Sequence, residues 1–337
     1  MAYWLTTTIL LTVHLLAMNL AAGGPVIAVW LLRHGEAGAA LARWLLKWSL
    51  AGLAWGSLAG GATLLLPNEA MRAALARFPA SAYWYALTEL LFSLACVAIL
   101  WRATAAMQRR RWLAWALAIL ASSNLLYHFP PWLSVLGRLV AEPRWGPPGT
   151  LQRRDVLKLI GTGEPLALTA HFALATFAVT AMAALWASTR MPAVDADDGP
   201  SDATLPVRGL ALWALVPTLL QLPVGIWLLA AGSDRLRHAV MGGDPVASLC
   251  FIAALPAAFF LTQRLASLAL GETDPAHIRR AGWHMLTTVL LMSGSLRGAR
   301  EAPLTTGPTR PHLQGAAQSE ADDPVAAESP AGVNSIG

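Results

Sequence analysis

A chain of 337 residues that is 56% hydrophobic, only 13% charged and carries 15 tryptophans is too apolar for a water-soluble domain of this size. Its formal net charge is +5, but the basic residues are scattered among loops between apolar runs and form no continuous stripe, which excludes a nucleic-acid partner. The mean hydropathy of +0.51 points instead to an integral membrane protein.

A helix needs roughly 20 mostly apolar residues to cross ~30 Å of hydrocarbon. On that measure the sequence predicts spans at about 5–31, 45–66, 82–101, 112–136, 166–188, 207–231 and 246–270. An eighth run, Ala281 to Ser295, is shorter and only just reaches across. The expected fold is therefore an all-α polytopic transmembrane bundle of about eight helices. The opening MAYWLTTTIL has no Lys or Arg ahead of its apolar stretch, so the first helix is expected to be retained rather than cleaved as a signal peptide.

Arg33, Arg43 and Lys47 follow the first span, and Arg102, Arg109, Arg110 and Arg111 follow the third, whereas the 67–81 connection holds only Arg72 and Arg77. By the positive-inside rule this places the N-terminus outside, although the basic 138–164 connection pulls the other way. Residues 191–206 read as a polar linker. The bundle is expected over 1–298, with a disordered polar tail at 299–337, rich in Pro, Gly, Ala and Ser. No internal repeat is visible. Cys96 and Cys250 sit inside apolar runs and form no CxxC or CxxCH, so they read as buried structural thiols.

An ionisable side chain in hydrocarbon costs a few kcal/mol and calls for a partner or a task. Four stand out: His14 in the first span, Glu89 in the third, His128 in the fourth and His171 in the fifth. Flanking Trp and Pro residues mark the boundary of the apolar layer. From Trp4, Trp84, Trp132 and Pro165 respectively, the four lie about 15, 8, 6 and 9 Å deep at 1.5 Å per residue. Odd spans run inward and even ones outward, so all four depths are counted from one face, and the polar groups share one leaflet.

His171 lies on one helix face with Ala167, Ala175, Ala178 and Met182, and His14 with Ala17, Met18, Ala21 and Ala22. A trough of small side chains beside a neutral imidazole suits a flat macrocycle held by axial ligation, and ligation satisfies a ring nitrogen that oil would leave unpaired. Small residues equally mark close helix packing, and His128, beside Pro130 and Pro131, equally suits an interfacial histidine that meets water. Glu89 reads as a proton-carrying carboxyl or one half of a buried ion pair. His238, in the 232–245 loop, is a reserve ligand. His284 is expected to pack in the bundle near the other face, and His34, His277 and His312 to be solvated. No HExxH motif, cysteine cluster, distinctive nucleophile or phosphate-binding glycine loop appears; the glycines inside apolar runs read as packing residues.

Taken in order, these features resemble the haem-bearing subunit I of the cytochrome bd-type quinol oxidases. The residues that carry the resemblance are His14 with its small-residue stretch, the glycine-rich LAWGSLAGGATLLL, LTELLF around Glu89, the SSNL stretch of the fourth span, His171 in the fifth, and Gln221 with Gly225 in the sixth. Together they cover roughly residues 1 to 245. The resemblance implies that His14 ligates a haem at an oxygen-reacting end, that Glu89 lies beside it in proton delivery, and that His171 ligates a low-spin haem b. It further implies quinol as electron donor, other membrane or cytochrome subunits as partners, and a bacterial-type plasma membrane. The chain departs from the family in three ways. Only AGSDRLRHAVMGGD stands where the family has a long quinol-binding loop. The span 246–270 holds no Met, which leaves Met241, His238 or His128 as a second axial ligand. The family's Gly-Arg-Gln-Pro-Trp block has no counterpart.

The expectation is a membrane b-type cytochrome that passes electrons through one or two haems near the outer face, in contact with lipid and with no nucleic-acid partner. Its catalytic group would be Glu89, its metal ligands His14 and His171, and its further cofactor-binding candidates His128, Met241 and His238. The alternatives are a haem-free transporter or proton-conducting protein with the same side chains as a relay, and an anchor subunit whose histidines only pack.

Overall fold

The computed structural model describes residues 2–66, 68–191 and 205–301, and every described element is helical. In chain order these are α1 (Ala2–Leu31), α2 (Gly35–Leu65), α3 (Glu69–Leu75), α4 (Ala80–Arg102), α5 (Thr104–Arg109), α6 (Arg111–Ala141), α7 (Arg153–Ile160), α8 (Gly163–Ser188), α9 (Val207–Ala231), α10 (Asp234–His238), α11 (Pro245–Leu270) and α12 (Pro275–Glu301). A π-helical turn over Ala239–Gly243 joins α10 to α11. Most of the linker and tail read from the sequence, and His312 with them, lie outside the described residues.

Six of these helices, α1, α4, α6, α8, α9 and α11, are each long and apolar enough to cross a membrane, and α2 taken with α3 makes a seventh candidate. The eighth run behaves differently from its sequence reading. Instead of a short segment it is part of a 27-residue helix, α12, about 40 Å long. Length is therefore not what separates α12 from the others. Arg279 and Arg280 near its start and Arg297 and Arg300 near its end dilute its apolar character, while it packs along α11, α1 and α8.

Small residues set the helix spacing, as expected where lipid gives apolar side chains no reason to leave it. Gly52, Gly56 and Gly60 recur every fourth residue and line one side of α2. There α2 meets α1 so closely that a Cβ on Gly52 would lie 2.5 Å from the Ala17 carbonyl oxygen, and one on Gly56 2.7 Å from the Met18 sulfur. The buried Ser49 hydroxyl crosses the same interface, 3.0 Å from the Leu20 carbonyl. On its other side α1 meets α8. The Thr176 hydroxyl donates to the Asn19 side-chain oxygen at 2.9 Å, and Thr180 donates to the Asn19 carbonyl at 2.9 Å.

Four helices close a ring, because α1 packs on α2 and α6 while α4 packs on those same two. The helices α8, α9, α11 and α12 extend the bundle from there. Its outward surface shows large apolar groups such as Trp55, Leu65, Trp112, Ile226 and Phe259, which suits lipid contact. Cys96 is buried and Cys250 half-buried, and both are free thiols.

Candidate functional site

The hydrogen bonds between helices set the relative heights of the polar side chains. Asn19 and Thr176 are 157 residues apart, and so are His14 and His171. Since α1 and α8 run parallel through that contact, the two imidazoles stand at the same level. Arg138 of α6 lies 3.4 Å from Glu164 of α8. Seven residues along each of these antiparallel helices, Pro131 comes level with His171, and His128 lies only about 5 Å deeper. His128 in turn faces Glu89 across α4 and α6. All four groups fall within about one helical turn; the shared leaflet is as expected, but the order within it is not, since His14 is no deeper than His171 and His128 is the deeper of the pair with His171.

Sharing a level does not bring them together. Five residues along a helix turn the side chain through about 140°, so His14 points away from the face that carries Asn19, and His171 away from the face that carries Thr176. The two rings diverge from the α1–α8 contact, and no single macrocycle takes both as its axial pair.

His14 turns toward α2. Its Nδ1 lies 2.7 Å from the Gly56 carbonyl oxygen, a contact in which the ring can only donate, so the tautomer is set and the Nε2 lone pair is left for another partner. The ring seats itself because residue 60 is glycine: a Cβ there would come within 2.7 Å of both Cε1 and Nδ1. This is the arrangement that a ligating imidazole requires, one nitrogen anchored by a carbonyl and the other available.

Glu89 and His128 belong to a polar cluster on α4 and α6. The Asn124 amide nitrogen donates at 2.8 Å both to the Glu89 carbonyl oxygen and to the Ser93 hydroxyl, while its oxygen faces His128 Nδ1 at 2.9 Å. The Glu89 carboxylate stands 3.9 Å from that same ring nitrogen. At 32% and 42% exposed, Glu89 and His128 are far more open than groups at this depth need to be, so the helix ring does not seal around them. Asn124 is the keystone and was not singled out for itself in the sequence; its position one turn before His128 is the signal that would have found it. Replacing Asn124 with leucine strands Ser93 and frees the imidazole, and should cost about 1–3 kcal/mol, read as a lowered unfolding midpoint in detergent micelles.

His171 is the reverse of His14. Its Nδ1 is buried with no hydrogen-bond partner among the described residues, and only its backbone carbonyl is engaged, by Gln221 Nε2 at 3.5 Å. An orphaned imidazole nitrogen in an apolar layer is costly unless something absent from the polypeptide satisfies it.

The reserve ligands stay at the helix ends. The His238 ring covers Gly243, and Met241, 71% exposed, sits on the π-helical turn, where Gly242 takes a left-handed φ of 114°. His128 is committed to the α4–α6 cluster. Among the described residues no hydrogen bond, ion pair or ring contact joins His238, Met241 or His128 to His171. His284 is half-buried and stacks on the exposed Phe260 ring, with centroids 6.0 Å apart. His277, read as solvated, is largely enclosed, its side chain 14% exposed and facing both Arg264 and Glu272, while His34 is half-exposed with its ring 4.7 Å from that of Trp30.

Among the described residues no three His, Cys, Asp or Glu side chains gather as a metal cage. The donor chemistry here suits an iron whose other ligands come from a macrocycle, with one imidazole per group. A cleft of about 360 Å³ opens between α1, α2, α8 and α12, lined by Ala17, Gly52, Trp55, Met182, Trp186 and Met285 among others. It is apolar, and neither His14 nor His171 lines it, so it is not where either would hold such a group.

Comparison with protein-family models, with curated proteins and with solved structures finds no match.

Proposed function

We propose that this multi-pass protein is a membrane b-type cytochrome, in which His14 and His171 each hold one haem and Glu89, with His128, carries a coupled proton. A haem bound at either imidazole would supply one-electron redox chemistry. The chain's own part is to anchor and orient each ring, to exclude water with apolar helices, and to keep a carboxylate and an imidazole within reach of each other at the same depth.

One observation carries the reading. At a common level, one half-buried imidazole has its Nδ1 fixed by a carbonyl, which leaves Nε2 for another partner, and another has a buried ring nitrogen with no hydrogen-bond partner among the described residues. The divergence of the two rings favours two separate groups over one shared between them. The resemblance to the bd-type oxidases supports an orientation with the N-terminus outside and the polar layer near the outer face of a bacterial-type plasma membrane, with further subunits as partners. Quinol as the donor has the least support, because the segment between α9 and α11 is short.

The test is a dithionite-reduced minus oxidised spectrum of the purified protein, repeated on His14→Ala and His171→Ala. The expected result is haem absorbance in the parent and loss of a different component in each variant. A colourless parent, with haem precursor supplied during expression, rejects the reading.

A second reading, a haem-free proton-conducting protein, is favoured specifically by the Glu89–His128–Asn124–Ser93 cluster. It predicts proton flux into vesicles from a colourless protein, abolished by Glu89→Gln.

A further inference from the structure

At the N-terminal end of the bundle, seven residues before His171 on the same face of α8, Glu164 sits among arginines that the sequence presents as ordinary loop charges. Arg138, its side chain 17% exposed, lies 3.4 Å from Glu164 and 3.7 Å from Glu142, and its guanidinium stacks 4.6 Å over the Trp145 ring. Glu164, 13% exposed, also accepts the Ser233 amide at 2.9 Å, so its Oε2 is already shared. Arg235 donates at 2.5 Å to the Ala141 carbonyl and at 3.2 Å to the Arg300 carbonyl, tying α10 to the ends of α6 and α12.

Arg300, half-buried, borders this cluster. Its guanidinium lies against Gly137, where any side chain on α6 would collide with it. The charges that bear on it are Glu164, which attracts, and Arg297, which repels. Among the described residues no ion pair closes on Arg300 within 4.0 Å; the carboxylate it faces is taken by Arg138. Glu164 thus faces both Arg138 and Arg300, and of the two only Arg138 has a second carboxylate, Glu142, within 4.0 Å among the described residues. The C-terminal carbonyls of α6 and α12 offset part of that charge, and a half-buried guanidinium with no carboxylate of its own is open to an anion from outside the chain.

We propose that Arg138 and Arg300 hold a phosphate-type anion, and that the anion is the headgroup of an anionic phospholipid. Depth argues for the lipid. The cluster stands about 10 Å along α8 from the His171 layer, at the boundary where the apolar spans end and lipid phosphates lie. Beside it α7 carries Arg153, Arg154 and Lys158 together with an exposed Leu157, the pattern of a short helix resting on a headgroup surface. The planar fork of an arginine side chain matches two phosphate oxygens at once. The inference is independent of the haem reading, since none of its residues belongs to that site.

The test uses the full chain in detergent, with phosphatidylglycerol, phosphatidylcholine and inorganic phosphate as three separate probes. Adducts are read by native mass spectrometry and stability by the unfolding midpoint. The expected result is retention of phosphatidylglycerol over phosphatidylcholine, a raised midpoint with phosphatidylglycerol only, and at least a tenfold loss of affinity in Arg300→Gln. The control is Arg237→Gln, which removes an exposed arginine paired with Asp234 and should bind as the parent does. Equal binding by the parent and Arg300→Gln overturns the site, and stabilisation by inorganic phosphate alone overturns the lipid as its source. Should Arg300→Gln fail to accumulate, the parent still decides: no preference for phosphatidylglycerol over phosphatidylcholine overturns the proposal.

Discussion

Valine at Gly52 should separate α1 from α2 and leave little folded protein. A Cβ at this position lands 2.5 Å from the Ala17 carbonyl oxygen and 3.5 Å from the Ala21 amide nitrogen, and both are helix backbone that cannot rotate aside. The two helices would have to part by about an ångström or more. Relief at one point is felt along the whole seam, because Gly24 already meets Ser49 and Gly56 already meets Met18. Overpacking of this kind costs about 1–3 kcal/mol where side chains can adjust, and more where backbone must move, against a total stability of only about 5–15 kcal/mol. Gly61→Val on the same helix is the control, since nothing lies within 4 Å of a Cβ there. Unfolding midpoints and size-exclusion profiles in detergent should show Gly61→Val intact and Gly52→Val aggregated or strongly destabilised. Equal behaviour of the two would mean that glycine spacing does not hold α1 against α2.

That contrast shows what the sequence could and could not say. LAWGSLAGGATLLL announces packing glycines through its composition, and the four-residue spacing of Gly56 and Gly60 from Gly52 just before it places the three on one face. Nothing in it tells that Gly61 looks into open space, because that depends on which helix lies opposite. That His14, Glu89, His128 and His171 share one leaflet was legible for a physical reason: Trp and Pro at the membrane boundary act as a ruler, though one good only to about two helical turns, because the first boundary residue of each span need not lie at the same height. Direction was not legible. A histidine facing small residues on its own helix gives no sign of whether a neighbouring helix turns toward it, and His14 and His171 in fact diverge. The arginine nest escaped for a related reason. Arg138, Glu164, Arg235 and Arg300 come from four separate segments, each reading as an unremarkable charge at a helix end, and only tertiary packing gathers them. The length of α12 was hidden by its flanking arginines, which lower hydropathy without interrupting the helix.

Alanine at Gly60 should act on His14 and leave His171 alone. The added methyl group would stand 2.7 Å from both Cε1 and Nδ1 of the His14 ring, and here, unlike at Gly52, what it meets is a side chain that can turn away. Turning breaks the 2.7 Å contact from Nδ1 to the Gly56 carbonyl, which fixes the tautomer and aims Nε2. Losing one hydrogen bond of this kind costs about 1 kcal/mol, and alanine recovers part of it through its better helix propensity, so the protein should remain folded. If His14 holds a haem, the functional effect should be far larger than the structural one, because a ligating ring turned out of line would no longer bond. Gly60→Ala should then remove the same component of the reduced-minus-oxidised spectrum as His14→Ala, while the component lost in His171→Ala persists. A haem protein whose spectrum is untouched by Gly60→Ala would show that the His14 imidazole serves only to pack α1 against α2.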